Sequence, residues 1–172
     1  MSILFDEDTD GCFQGQVMME RIVIADGILT AEIPAELKRM PVSMKETFYP
    51  YEDRPEMIVS DADGKSQMTF QLLDKKLGME ETGKAAEAVR EYISNVYPRN
   101  ELSPVHLYQK GEFQSGWFTM ELEEAEGIKQ HVKAVLSVRN QMFLATITYP
   151  EQEHLKWEVL LKHFFDSLKE IS

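Results

Sequence analysis

The last third of the chain alternates apolar and polar residues with the period of a half-buried β-strand. This alternation predicts four strands, at residues 105–113, 117–122, 128–138 and 142–149. Turn-forming pairs are expected to separate them, at Ser115-Gly116, Glu126-Gly127 and Asn140-Gln141. Four consecutive strands with such short connections predict an antiparallel meander.

After Pro150 the period changes to that of an amphipathic helix, which we expect to continue to Ile171. Leu155 and Val159 fall on the side opposite its apolar face. They therefore either pack under the N-terminal arm or form a small exposed patch. The apolar face is expected to lie on the sheet and consists of Trp157, Leu160, Leu161, Phe164, Leu168 and Ile171.

The first half of the chain predicts two hairpins, at residues 16–33 and 57–73. The clearer one turns at Asp26-Gly27, a pair that favours the positive φ angles of a type I′ turn. Four prolines between the hairpins predict an extended excursion over the surface at residues 34–57. Thr82 is the predicted N-cap of a helix that reaches residue 97 and lies on the sheet through Ala85, Val89, Ile93 and Val96.

The chain of 172 residues is long enough for one domain with a substantial core. We place that domain at residues 16–172, after an acidic arm at residues 1–15. The formal net charge of −12 repels phosphate backbones and anionic lipids, so neither nucleic acid nor membrane is an expected partner. The negative charge does not exclude a protein partner.

Cys12 is the single cysteine, so no disulfide can form within the chain. The N-terminus lacks the basic and apolar regions of a secretory signal, and no apolar run approaches the length of a membrane span. These features predict a cytoplasmic location.

The order of these elements resembles the PsbP-like superfamily, including a meander with Gly116-Trp117 and a closing segment Phe164-Phe165-Asp166-Ser167-Leu168. That superfamily includes the photosystem extrinsic subunit for which it is named, the Ran-binding Mog proteins of nuclear import, and many bacterial members with no assigned role. The resemblance covers residues 16–172 and implies an α+β fold, an α/β/α sandwich around a central antiparallel sheet. It supplies no catalytic motif, and no functional residue is carried over from it.

The acidic run Asp6–Gly11 matches the opening of a calcium-binding loop, with carboxylates at alternate positions and glycine at the sixth. The twelfth position, where a bidentate glutamate closes such a loop, is Val17, so a plain acidic arm is favoured. Glu151 and His154 have the Glu-x-x-His spacing of di-iron bundles, but a single copy favours a solvated pair. The sequence therefore predicts no metal site and no cofactor.

Trp117 falls on the strand face opposite Phe118 and Met120, while Arg139 shares a face with Ser137. Both faces are covered in a sandwich, which favours Trp117 in the core. An uncovered tryptophan beside a cation would instead indicate a groove for a peptide or small molecule. The candidate contact residues are Trp117, Arg139, Leu155 and Val159.

The sequence contains no catalytic constellation, because no serine or cysteine has the Gly-x-Ser-x-Gly frame. Together with the resemblance, this predicts a non-enzymatic module that binds a protein partner. The alternative is a small-molecule or metal-binding protein that uses the sheet face near Trp117 or the acidic arm. An enzyme with a dispersed site stays open as a third hypothesis, since a sequence does not show which residues cluster in space.

Overall fold

The computed structural model of the chain describes residues 2–5, 15–51, 54–110 and 113–171. In chain order the strands of these residues are β1 (Ser2–Phe5), β2 (Gly15–Ile24), β3 (Leu29–Pro34), β4 (Lys38–Arg39), β5 (Met57–Ser60), β6 (Gln67–Lys76), β7 (His106–Lys110), β8 (Phe113–Glu124), β9 (Gly127–Val138), β10 (Gln141–Pro150) and β11 (Lys169–Glu170). The α-helices are α1 (Val42–Phe48), α2 (Thr82–Val96) and α3 (His154–Ser167).

The larger sheet of the described residues has seven antiparallel strands in the order β4-β5-β6-β10-β9-β8-β7. Strands β7 to β10 are neighbours in chain order, which confirms the predicted meander. The predicted turn at Ser115-Gly116 is wrong, because both residues lie inside β8. Glycine is needed there for close packing: a Cβ on Gly116 would lie 2.8 Å from the Cβ of Ala86 in α2. The last turn falls at Arg139 and Asn140, which both have positive φ.

The smaller sheet has four strands in the order β1-β2-β3-β11. The β2–β3 hairpin turns as predicted, with φ angles of 54° at Asp26 and 85° at Gly27. The prediction of an arm before the first strand is wrong for Ser2–Phe5, which pairs with β2. The remainder of the arm, residues 6–14, lies outside the described residues.

Two helix boundaries differ from the predictions. The closing helix ends at Ser167 instead of Ile171, because the chain then pairs with β3 and the Ile171 amide donates to the Ile28 carbonyl at 2.7 Å. Thr82 is the first residue of α2 and not its N-cap; it is fully buried, and its hydroxyl donates to the Met79 carbonyl at 2.8 Å. The stretch 34–57 is also not wholly extended, since it contains α1.

The large sheet is covered on both faces. Helix α2 packs on the face that carries Phe118 and Val135, which we call the outer face. Helix α3 and the small sheet pack on the other, inner face, where Phe164 of α3 lies 5.8 Å from the ring of Phe70. This layering gives the α+β fold that was predicted, with the antiparallel sheet at its centre.

Candidate functional site

A cavity of about 480 Å³ lies on the inner face of the large sheet, between the β7–β8 hairpin and α3. Its volume falls within the range of small-ligand sites in proteins. We call it the Trp117 pocket; its apolar and aromatic lining consists of Leu107, Tyr108, Trp117, Val132, Tyr149, Leu161 and Phe165. Charged and titratable side chains line it as well, namely His106, His154, Glu158 and Lys162.

The strand register explains how Trp117 reaches this pocket. Alternate residues of β8 face opposite sides of the sheet, so Trp117 faces α3 while Phe118 packs with Ile93 of α2. Trp117 pairs with His106 of β7, and the centroids of the two rings are 4.6 Å apart. Trp117 is partly buried against the main core, so it is at once a packing residue and a wall of the pocket.

Two tyrosines shape the pocket without adding charge to it. The Tyr108 hydroxyl donates to the Asp166 carboxylate, which ties β7 to α3. That hydrogen bond, followed by burial, raises the pKa of Tyr108. Burial, with the charges of Glu158 and Glu151 adding to it, raises the pKa of Tyr149 to about 12. Both hydroxyls therefore keep their protons at neutral pH.

The other residues predicted to accompany Trp117 lie elsewhere. Arg139 lies in the β9–β10 turn, where its guanidinium donates to the Glu170 carboxylate and, at 2.9 Å, to the Ile171 carbonyl. Leu155 is partly buried and Val159 is 44% exposed, and neither lines the pocket. Of the four predicted contact residues, the structure therefore brings only Trp117 to the cavity.

The Glu-x-x-His spacing of Glu151 and His154 is explained by ordinary contacts of the two side chains. His154 pairs with Glu158 at 3.2 Å, and Glu151 accepts a hydrogen bond from the Gln130 amide at 3.3 Å. Within the part of the chain that the structure describes, no group of three or more His, Cys, Asp or Glu side chains is arranged to hold a metal. The calcium-like run Asp6–Gly11 lies outside that part.

No described helix is long and apolar enough to cross a membrane.

Sequence reasoning missed the α3 and β7 side of the pocket. Leu161 belonged to the predicted core face of α3, and His106 and Tyr108 belonged to a predicted strand. Alternation alone places His106 and Tyr108 on one face of their strand. It does not give the β7–β8 register, which is what sets His106 beside Trp117.

No protein-family model matches the sequence, and no curated protein matches it significantly. Solved structures do match. The solution structure of cyanobacterial PsbP (CyanoP) from Synechocystis sp. PCC 6803 superposes with a TM-score of 0.63 at 9% identity, covering 90% of this chain and 94% of that one. The chain has a PsbP-like fold.

Two further structures share this PsbP-like fold. A protein from Bacteroides thetaiotaomicron VPI-5482 matches with a TM-score of 0.57 at 11% identity, over 89% of this chain and 48% of its own. LpqN, a protein involved in cell envelope biogenesis of Mycobacterium tuberculosis, matches with a TM-score of 0.54 at 10% identity, over 91% of this chain and 92% of its own. Identities this low establish the PsbP-like fold alone.

Proposed function

We propose that the chain is a non-catalytic module that binds an extended segment of a protein partner along β7 and receives one apolar side chain of that segment in the Trp117 pocket. The observation that carries this proposal is the position of the pocket. One wall of the pocket is β7, through His106, Leu107 and Tyr108, and β7 is an edge strand of the large sheet as described.

The backbone of an edge strand supplies the first half of the recognition. Alternate N–H and C=O groups of β7 point away from β8, so an extended peptide can pair with them as an additional strand. His106 and Leu107 are exposed, Leu107 at 57%. Such an exposed, partly apolar edge is accessible to a partner strand.

The pocket supplies the second half. Side chains of an added strand would alternate between the two faces of the sheet. Those on the inner face would enter beside Trp117 and Phe165, and those on the outer face would lie beside Leu107. Backbone pairing then gives affinity, and the pocket selects the side chain.

The chemistry of the pocket favours binding over catalysis. The Tyr108 and Tyr149 hydroxyls stay protonated at neutral pH, and the described lining contains no serine or cysteine nucleophile. The PsbP-like fold also supports a non-catalytic role.

The test is a selection of peptides from a random library displayed on phage, followed by calorimetric titration with the Leu107→Lys variant. A lysine on the edge opposes pairing with a partner strand, and the exposed position should tolerate it. We expect selected peptides with apolar residues at alternate positions, and at least tenfold weaker binding by Leu107→Lys. Val159→Lys is the matched control, because it adds the same charge on an exposed face outside the pocket.

Equal affinities of the wild type and Leu107→Lys would contradict the proposal, as would a wild type that selects no peptide. Nuclear magnetic resonance gives an independent reading, since binding should shift the β7 amide signals and the Trp117 indole signal together.

A second candidate, a small apolar ligand in the Trp117 pocket, is favoured by the cavity volume of about 480 Å³. Such a ligand would shift the indole signal and the signals of the β7 residues that line the pocket. Its affinity should be nearly the same for the wild type and Leu107→Lys, because the end of the Leu107 side chain lies toward Gly83 and Gly116 on the opposite face of the sheet. The Leu107→Lys titration therefore separates the two candidates. The cytoplasmic location and the lack of nucleic-acid and membrane partners stay predictions, which cell fractionation and binding to RNA and anionic vesicles would check.

A further inference from the structure

A second cavity, of about 390 Å³, lies on the outer face of the large sheet, opposite the Trp117 pocket. It runs between α2 and the strands β6, β9 and β10, and we call it the α2 groove. Its apolar walls include Val89 and Tyr92 of α2, Leu73 of β6, and Met142 and Leu144 of β10. A groove of this size can bury most of a small ligand.

Lys133 of β9 enters the α2 groove from the sheet. It is partly buried, and its ammonium is 3.5 Å from the Thr146 hydroxyl of β10. Among the described residues no carboxylate lies within ion-pair distance of Lys133, whereas Lys129 of the same strand pairs with Glu124 at 3.3 Å. Lys133 is thus an enclosed cation with no counter-charge among the residues that the structure describes.

The rest of the α2 groove does not compensate this charge. Lys75 also lines the groove, and none of its described lining residues is acidic. His131, two residues before Lys133 on the same strand face, contacts the Thr148 hydroxyl at 2.8 Å. Burial, with the charge of Lys133 adding to it, lowers the pKa of His131 to about 3, so this imidazole is neutral at physiological pH. Through Lys133 and Lys75, the α2 groove is therefore a local site of positive charge in a chain of net charge −12.

An enclosed ammonium is costly when nothing pairs with it. Burial lowers the pKa of Lys133, which means that the surroundings disfavour its charged form. A bound anion would stabilise the charged form and accept a charge-assisted hydrogen bond from the ammonium. The hydroxyl of Thr146 is placed to donate a second hydrogen bond to the same anion.

We propose that the α2 groove binds a small molecule with an apolar body and a carboxylate head, the head at the Lys133 ammonium and the Thr146 hydroxyl and the body against Leu144 and Tyr92. This site is independent of the Trp117 pocket, since the two cavities open on opposite faces of the sheet.

The test compares octanoate with 1-octanol, which has the same chain length and a neutral head, by isothermal titration calorimetry. The wild type should bind octanoate at least tenfold more tightly than 1-octanol. Lys133→Met should weaken octanoate binding at least tenfold and remove the preference for octanoate over 1-octanol. Lys65→Met is the control, because it removes the same charge from an exposed turn and should leave both affinities unchanged.

A second variant tests the apolar wall. Ala88 is an exposed residue of α2 that lines the groove, so Ala88→Phe should fold, narrow the groove and weaken octanoate and 1-octanol alike. Thermal melting checks the fold of each variant. Lys133→Met should melt at or above the wild-type temperature, because it removes an enclosed charge that no described carboxylate pairs with.

The proposal is overturned if the wild type fails to saturate with octanoate, if it does not discriminate octanoate from 1-octanol, or if Lys133→Met binds octanoate as the wild type does. Leu107→Lys should leave octanoate binding unchanged, which separates this site from peptide binding at β7.

Discussion

Replacing Phe164 by alanine tests the packing that both the fold and the Trp117 pocket require. Phe164 is 1% exposed, with its ring centroid 5.8 Å from that of Phe70 in the sheet and 5.4 Å from that of Phe165 in α3. The neighbouring Phe165 lines the pocket. Phe164 thus holds α3 on the inner face and keeps one wall of the pocket in place.

The expected cost follows from the burial of this side chain. Transfer of a phenylalanine side chain from water accounts for about 1.5–3 kcal/mol, and the cavity left by truncation raises the loss to about 3–5 kcal/mol. A domain of this kind has a free energy of unfolding of about 5–15 kcal/mol. Phe164→Ala should therefore still fold, with its melting temperature lowered by on the order of 10 °C.

Urea denaturation followed by far-ultraviolet circular dichroism measures this loss. The midpoint should fall while the slope of the free energy against urea stays constant, since the same surface unfolds. Val159→Ala is the control on the same helix, because Val159 is 44% exposed and should lose less than about 0.5 kcal/mol. A loss below about 1 kcal/mol for Phe164→Ala would refute the placement of α3 over Phe70.

Two further predictions concern pH and backbone packing. The hydrogen bond from His163 lowers the pKa of Glu32 from its usual 4.5, so this pair should stabilise the fold above that pH and lose its contribution as the pH falls through the lowered pKa. Glu32→Gln should make the unfolding free energy depend less on pH, as measured between about pH 6 and pH 3. Gly116→Ala should destabilise the fold by roughly 1–3 kcal/mol, because its Cβ would meet the Cβ of Ala86 at 2.8 Å. Gly83→Ala should be neutral or stabilising by up to about 1 kcal/mol, because its Cβ would meet only the flexible end of a leucine at 3.4 Å; equal melting temperatures for the two glycine variants would contradict this reasoning.

The meander and the positions of α2 and α3 were predictable because they are determined by residues that lie close together in the sequence. Alternation with period two marks β8 to β10, and a stripe with period 3.6 marks α3. Pairing between neighbours in the chain then follows from the short turns. These features need no knowledge of distant residues.

The two outer strands of the small sheet, β1 and β11, were not predictable for the opposite reason, although its β2–β3 hairpin was predicted. β11 has only two residues, so neither its composition nor its length indicates a strand. Its partner β3 lies far away in the sequence. The same holds for β1, whose acidic surroundings predict an arm. Gly116 shows a related ambiguity, since a glycine that makes room for a helix has the same sequence signal as one in a turn.

Both cavities follow from the widths of the layers. Seven strands spaced about 4.8 Å apart span roughly 29 Å, whereas one helix with its side chains is about 10–12 Å across. On the outer face α2 packs over β8 and β9, and the α2 groove lies along its other flank. On the inner face α3 and the small sheet share the cover, and the Trp117 pocket remains at the β7 edge. The architecture thus leaves two sites that are incompletely covered. Their side chains set their chemistry: an exposed apolar edge at Leu107, and at Lys133 a cation with no counter-charge among the described residues. Because the two sites lie on opposite faces, loss of one binding activity through Leu107→Lys should leave the other intact, and Lys133→Met should do the reverse.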